Sequence, residues 1–356
     1  MIDKEIEKII PRKIDAKWLE KVLGKARFEY DAETVTQSVS VPIWDFLDRG
    51  GKRWRPALTL LACEAVGGKE KEAMPFTPII ELVHEGTIMV DDCEDDSKER
   101  RGKPCTHLIY GIDTAINDGN IMYFLPMAIF YTNTQKLGQE KTRQIYDLYI
   151  QEMLRVSIGQ AKDIYWHKGK KENVSEEEYL QMCICKTGVL ARFAAKLGAI
   201  IGNGSREEIN ALARFGESIG VGFQIQDDIL ELTGKEFAKG KGGIGGDIHE
   251  GKRTLMVIHT IKKANEQDRK RLIEILNSHP TEQETISEAI EIIKKSPIKE
   301  IVVTNTIDIP KEKMISKLKV ISIASLLSET IKRTHEGLPM GVVYEGMYKN
   351  IEKRTK

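Results

Sequence analysis

Apolar residues recur at helical spacing along most of the chain. Residues 56–66 read Pro-Ala-Leu-Thr-Leu-Leu-Ala-Cys-Glu-Ala-Val, and 79–90 read Ile-Ile-Glu-Leu-Val-His-Glu-Gly-Thr-Ile-Met-Val. Both are long apolar runs with polar residues at helical spacing, which predicts helices buried nearly all round. Ser175 with Glu178 and Thr281 with Glu284 have capping-box spacing and predict helix starts there. Gly50-Gly51, Gly67-Gly68, Gly102-Lys-Pro104 and the glycine-rich stretch 240–251 punctuate the pattern as loops. No segment between about 15 and 295 alternates as a strand should, so this region is all-α.

The pattern changes near Ser296-Pro297. Residues 301–304 and 320–323 are short, β-branched and bounded by turn residues, and read as strands. Residues 326–335 read as a helix that Gly337 stops. Two domains are therefore expected, a helical body over 1–296 and a strand–strand–helix tail over 297–356.

Lys plus Arg and Asp plus Glu are both 54, a balance that argues against broad nucleic-acid binding. Apolar residues at 41% suffice to build a core. Five cysteines do not read as a disulfide framework, and Cys183-x-Cys185 is too close to be half of a zinc site. The N-terminus is charged from its third residue, unlike a secretory signal. The longest uncharged stretch, 119–135, holds Asn120, Pro126, Thr132 and Asn133, so it reads as a buried helix and not a membrane span. A soluble protein of the cytoplasm is expected.

Two acidic clusters carry the candidate chemistry. Asp91-Asp92-Cys93-Glu94-Asp95-Asp96 follows an apolar helix directly, and Asp91 and Asp95 share one helical face. Like charges at that spacing repel. One reading is a solvated charge run; the other is a magnesium site, because hard cations take carboxylate oxygens and bridge to phosphate. Asp227-Asp228 and Glu231 form a second cluster inside another apolar helix. Two such walls suit divalent ions shared around a diphosphate. Lys52 and Arg55, Arg100 and Arg101, Lys186, and Lys252 alternate with the acids along the chain and suit phosphate oxygens. The loop 240–245 satisfies G-x-G-x-x-G but follows a helix, and 246–252 fails as a P-loop because Arg253 replaces the Ser/Thr. Lys239, Lys241 and Lys252 are left as candidates to reach a phosphate.

Taken in order, these residues resemble the trans-prenyl diphosphate synthases over about 15–295. The resemblance is carried by Gly-Gly-Lys-Arg-x-Arg-Pro at 50–56, Asp-Asp-x-x-Asp at 91–95, Arg-Arg-Gly-Lys-Pro at 100–104 and Tyr-Gly-Ile-Asp-x-Ala-Ile-Asn at 110–117. It continues in Gly-Gln-x-x-Asp at 159–163, Lys-Thr-Gly at 186–188, Phe-Gln-Ile-Gln-Asp-Asp at 223–228 and Gly-Asp-Ile-x-Glu-Gly-Lys-Arg-Thr at 246–254. It implies an isoprenoid-synthase-type helical bundle around a central cavity, and a homodimer. It also implies two or three Mg2+ ions at Asp91, Asp95 and Asp227, with Asp92, Asp228 and Glu231 nearby. Isopentenyl diphosphate would be held by Gly51, Lys52, Arg55, His84 and Arg101. The allylic diphosphate would meet Arg100, Lys186, Thr187, Gln224, Lys252 and one of Lys239 or Lys241, with Thr187 and Gln224 offering oxygen dipoles to a carbocation. His84 also reads as a core histidine.

Glu231 stands where the family pattern ends in Asp. Gly86 and Thr87, five and four residues before Asp91, provide no aromatic floor, which implies a product of twenty carbons or longer. A terpene cyclase and a non-catalytic partner subunit are the competing readings; the second cationic set argues against the first. The last sixty or so residues instead resemble the end of a ribose-phosphate pyrophosphokinase, without a phosphoribosyl loop, and read as a fused or misassembled frame in preference to a functional module.

Overall fold

The computed structural model describes residues 1–233, 245–295, 301–304 and 318–322. The chain divides into two compact units, Met1–Ser296 and Pro297–Lys356.

The first unit is a helical bundle. Its centre is the helix Val189–Ile201, whose sequence Val-Leu-Ala-Arg-Phe-Ala-Ala-Lys-Leu-Gly-Ala-Ile-Ile is buried at all but two positions. It packs between the helices Trp54–Ala65 and Arg206–Thr233, with Gln139–His167 alongside. The half-buried Arg192 is met by the fully buried Glu152 at 2.6 Å and by Glu217, so that cation enters the apolar core paired. A second apolar cluster joins the N-terminal helix Ile2–Ile9 and Ile43, Trp44, Phe46 and Leu47 to the inner faces of Thr77–Glu94 and Ile112–Phe124.

The helix starts at 175 and 281 fare differently. Ser175 caps Glu176–Cys183 with the reciprocal Glu178 bond. The later helix runs Gln283–Lys295, and the Thr281 hydroxyl instead donates to Glu282. The stretch 119–135 is not one helix. Pro126 divides it into Ile112–Phe124, a short 3-10 turn at Leu125–Met127, and Ala128–Leu137, because proline cannot extend the preceding ladder. Residues 99–104 also depart from the all-helical reading: Glu99–Arg100 and Lys103–Pro104 form a two-residue antiparallel hairpin, turned by Arg101 and Gly102 at positive φ. Among the described residues no helix is long and apolar enough to cross a membrane.

In the second unit Ile301–Thr304 pairs in parallel with Leu318–Ile321. The second strand begins two residues before the expected 320, because the alternating run reaches back through the exposed Lys319 to Leu318. The expected helix at 326–335 lies outside the described residues.

Candidate active site

The helices of the first unit enclose a cavity of about 530 Å³. One wall is the C-terminal end of Thr77–Glu94, where Thr87, Ile88, Val90, Asp91, Glu94 and Asp95 face inward. Asp95 is the cap residue that ends this helix, its amide donating to the Asp91 carbonyl. The facing wall is the last turns of Arg206–Thr233, which present Gln224, Asp227, Asp228 and Glu231. Both walls are helix C-termini, whose dipoles disfavour carboxylates and favour cations. Among the described lining residues ten are carboxylates and five are Lys or Arg. The site has more acid than its own bases neutralise.

Lys186 and Lys252 stand between the walls. Lys186 sits in five residues, Ile184–Gly188, that wind as a π-helix between two α-helices. The turn lies directly against Gln139–His167: a Cβ at Gly159 would stand 2.5 Å from the Lys186 amide nitrogen, so only glycine permits the approach. Its ammonium lies 2.6 Å from Asp163 Oδ2 and 3.2 Å from Asp91 Oδ1. Gln160 Nε2 donates to Asp91 at 2.6 Å and to Glu94 at 2.7 Å. Burial alone would raise Asp91, but Lys186 and Lys252 hold it below the usual carboxylate range. Lys252 pairs with Asp95 at 3.1 Å and with Glu250, and lies 3.8 Å from Asp247. Burial nonetheless pushes Asp95 up to about 6, against the pull of Lys252. Asp247, for the same reason, is raised well above its ordinary value.

A hydrogen-bonded row fixes the second wall. The Thr187 hydroxyl donates to Gln224 Oε1 at 2.7 Å, Gln224 Nε2 donates to Asp228 Oδ1 at 2.8 Å, and the Tyr179 hydroxyl donates to Asp228 Oδ2 at 2.5 Å. Asp228 is buried, and burial raises it to about 6 despite those two donors. With both oxygens engaged, Asp228 orients Gln224, while Asp227 lines the cavity one residue earlier.

The cations expected for a second phosphate are divided. Arg55 lines the cavity, and its Nη1 donates to His84 Nε2 at 3.0 Å. Burial and the neighbouring Arg55 drive the His84 imidazole well below its ordinary value, so it is a neutral acceptor there. Arg100 also lines the cavity while bonding the buried Asp92 at 2.9 Å through Nε. Asp92 thus faces Arg100 on the side of the helix away from the cavity lining. Arg101 turns to Glu85, with two 2.9 Å bonds, and to the Gly50 carbonyl. Arg53 bonds the same Glu85 at 2.8 Å and Glu81 at 2.6 Å, tying the 50–53 loop to Thr77–Glu94. Gly51 and Lys52 are exposed beside this cluster and do not line the cavity. Lys239 and Lys241 lie outside the described residues.

Of the residues named from sequence, the fold brings Arg55, His84, Asp91, Asp95, Arg100, Lys186, Thr187, Gln224, Asp227, Asp228, Glu231 and Lys252 onto one cavity. It adds Glu94, Gln160, Asp163, Tyr179, Asp247 and Glu250. Gln160, Asp163 and Asp247 stood within motifs already noted, and their contacts supply the roles that spacing alone did not. Arg253, the residue that spoils the P-loop pattern, is buried and donates to the Gly251 carbonyl and Asn277 Oδ1, both at 2.5 Å, securing the loop that carries Lys252. Among the described residues no three His, Cys, Asp or Glu side chains converge to cage a single ion.

Comparison with known proteins agrees with this geometry. The family model described as polyprenyl synthetase matches residues 36–293, and that of the phosphoribosyl synthetase-associated domain matches 258–345. The chain is 39% identical over 229 residues to a short chain isoprenyl diphosphate synthase of Methanothermobacter thermautotrophicus, covering 64% of this chain and 69% of that protein. It is 39% identical over 224 residues to a geranylgeranyl diphosphate synthase of Methanosarcina mazei, covering 62% and 67%. The crystal structure of a geranylgeranyl pyrophosphate synthetase from Pyrococcus horikoshii superposes with a TM-score of 0.67 at 33% identity, over 83% of this chain and 82% of that one.

Proposed function

As the chain belongs to the polyprenyl synthetase family and is a prenyl diphosphate synthase, we propose that it joins isopentenyl diphosphate to an allylic diphosphate, giving a trans-prenyl diphosphate of twenty carbons or longer. The observation that carries this reading is the pair of carboxylate walls, Asp91/Asp95 and Asp227/Glu231, facing one cavity whose acids outnumber its bases. A diphosphate is itself an anion and enters such a site only with divalent cations. Mg2+ fits the donor set: it takes one or two carboxylates and completes its shell with water and substrate phosphate, so an all-protein cage is not required. Asp91, Asp95 and Asp227 would hold two or three such ions, with Asp228 and Glu231 behind them. Bound magnesium neutralises charge on the departing diphosphate and so favours ionisation of the allylic carbon–oxygen bond.

The chain's own residues have separable tasks in this scheme. Lys186, Lys252 and Arg100 bind the allylic diphosphate as the carbon–oxygen bond breaks. Thr187 and Gln224, held in register by Asp228, turn oxygen dipoles towards the carbocation. Arg55 and the neutral His84 bind isopentenyl diphosphate, with Gly51, Lys52 and Arg101 at the edge of that subsite. The apolar depth of the cavity, lined by Val156, Met182 and Leu190, excludes water from the cation. The alkene then attacks, and the released diphosphate is the available proton acceptor.

The protein works as a homodimer in the cytoplasm on water-soluble diphosphates and releases a lipophilic product. Ile112, Ile116 and Phe124 on one helix and Ile150, Leu154 and Ile158 on another are 42–73% exposed at four- and eight-residue spacing, an apolar face that supports burial against a second copy. Incubating the purified protein with labelled isopentenyl diphosphate, an allylic diphosphate and Mg2+ tests the activity. Elongated prenyl diphosphate is expected; a hydrocarbon product or no turnover contradicts it.

A further inference from the structure

Three segments far apart in sequence meet at one buried carboxylate: the helix Thr77–Glu94, the 50–53 loop and the 99–104 hairpin. We infer that Glu85 is a positioning residue for isopentenyl diphosphate, holding Arg101 and the 50–53 loop in place at the edge of that subsite. The inference rests on the elongation reading above.

Successive residues of an α-helix point about 100° apart, so the helix that turns His84 into the cavity aims Glu85 away from it. Glu85 is fully buried and accepts three charge-assisted bonds. Arg101 Nη2 donates to both of its oxygens at 2.9 Å, and Arg53 Nη1 donates to Oε1 at 2.8 Å. Both cations come from tight turns. Arg101 has a φ of 55° in the hairpin, and Arg53, at 48°, is the cap residue of the helix Trp54–Ala65 that carries Arg55. Left-handed backbone is unfavourable for a residue with a Cβ, so each turn needs an anchor from outside.

The two anchors are unequal. Arg53 also bonds Glu81 at 2.6 Å, Asp3 at 3.1 Å and the Leu47 carbonyl at 3.0 Å. Among the described residues Arg101 meets no carboxylate but Glu85, and its Nη1 passes the constraint on by donating to the Gly50 carbonyl. Gly51 lies directly against the cluster: a Cβ there would stand 3.4 Å from Glu85 Oε1 and 3.5 Å from Arg101 Nη2. Glu85 thus fixes the Arg101 guanidinium and the loop that leads into Lys52. The cations given to the allylic diphosphate have carboxylates of their own. Lys186 is held by Asp163 and Asp91, Lys252 by Asp95, and Arg100, beside Arg101 on the hairpin, by Asp92. Loss of Glu85 is therefore expected to weaken one substrate and spare the other.

Burial raises the Glu85 carboxyl to about 7 against the pull of Arg101, so assays of the full-length protein at pH 8 keep it ionised. The test measures KM for each diphosphate at saturating concentrations of the other, with Mg2+, in the wild type, Glu85→Gln, Arg101→Ala and the double variant. Glu85→Gln is expected to raise KM for isopentenyl diphosphate about tenfold, while KM for the allylic diphosphate stays within a factor of about two. In the Arg101→Ala background the same change is expected to add nothing, because its effect passes through Arg101. Where circular dichroism finds the Gln variant unfolded, Glu85→Asp keeps the charge but draws Arg101 back by one methylene. It is expected to raise the same KM about threefold and to spare the other. A folded Gln variant, or the Asp variant in its place, that leaves KM for isopentenyl diphosphate unchanged or raises both KM values alike overturns the inference alone, as do effects that multiply in the double variant. A wild-type protein that forms no elongated product overturns the elongation reading and this one with it.

Discussion

Lys186 Nζ lies 3.2 Å from Asp91 Oδ1, although the two residues are 95 apart in sequence. The contact joins the helix that ends in the first acidic cluster to the π-helical turn on the far side of the cavity. With Asp163 at 2.6 Å, it places one cation between two carboxylates that would otherwise repel. Lys186→Met is expected to lower kcat by about 100-fold, the scale of losing one preorganised electrostatic contact. A steady-state assay that finds less than a few-fold loss contradicts the role given to Lys186.

Asp91 and Asp92 are adjacent but differently engaged. Asp91 lines the cavity, whereas Asp92 is buried against Arg100. Asp91→Asn is expected to abolish turnover while leaving the melting temperature near that of the wild type. Asp92→Ala strands the Arg100 guanidinium, and is expected to lower stability by about 3 kcal/mol. Denaturant titration of both variants checks the contrast.

Asp95, raised by burial to about 6, makes magnesium dependence sensitive to pH. A protonated carboxyl does not ligate a cation. As pH falls below about 6 the magnesium concentration giving half-maximal activity is expected to rise, by about tenfold per pH unit at the limit. Half-saturation values measured between pH 5 and pH 8 that stay constant contradict this.

Much of this site was legible in the chain because its chemistry resides in charged residues at helical spacing. Asp91 and Asp95, or Asp227 and Glu231, share a face wherever the helix forms. Which neighbour faces inward is harder, because it depends on how helices pack. Arg101 reads as a phosphate ligand beside Arg100; that the two-residue hairpin also sets it against the buried Glu85 is a contact spacing does not show. Gly86 reads as empty space, yet Tyr123 fills it from a helix that sequence spacing does not bring near. The fold class followed from periodicity for a similar reason, while Pro126 and the 99–104 hairpin are local breaks that a window average conceals.

Asp118 offers a test outside the site. It is fully buried on Ile112–Phe124, and burial pushes its carboxyl up to about 7. An unfolded aspartate titrates near about 3.9. The raised folded value means that the stability contributed by the protonated form is complete below about pH 4 and is lost as pH rises towards 7. Asp118→Asn, which cannot ionise, is therefore expected to melt higher than the wild type at pH 8, with the gap closing as pH falls towards 4. Thermal melts across that range check both the sign and the trend.

The central claim is that two carboxylate walls grip a diphosphate through shared divalent cations. Isothermal titration of an unreactive allylic diphosphate analogue, with and without excess Mg2+, tests it most directly. Binding is expected only when the ion is present, and is expected to be lost in Asp91→Asn and in Asp227→Asn. Equal affinity without the ion, or no binding in its presence, would contradict the account.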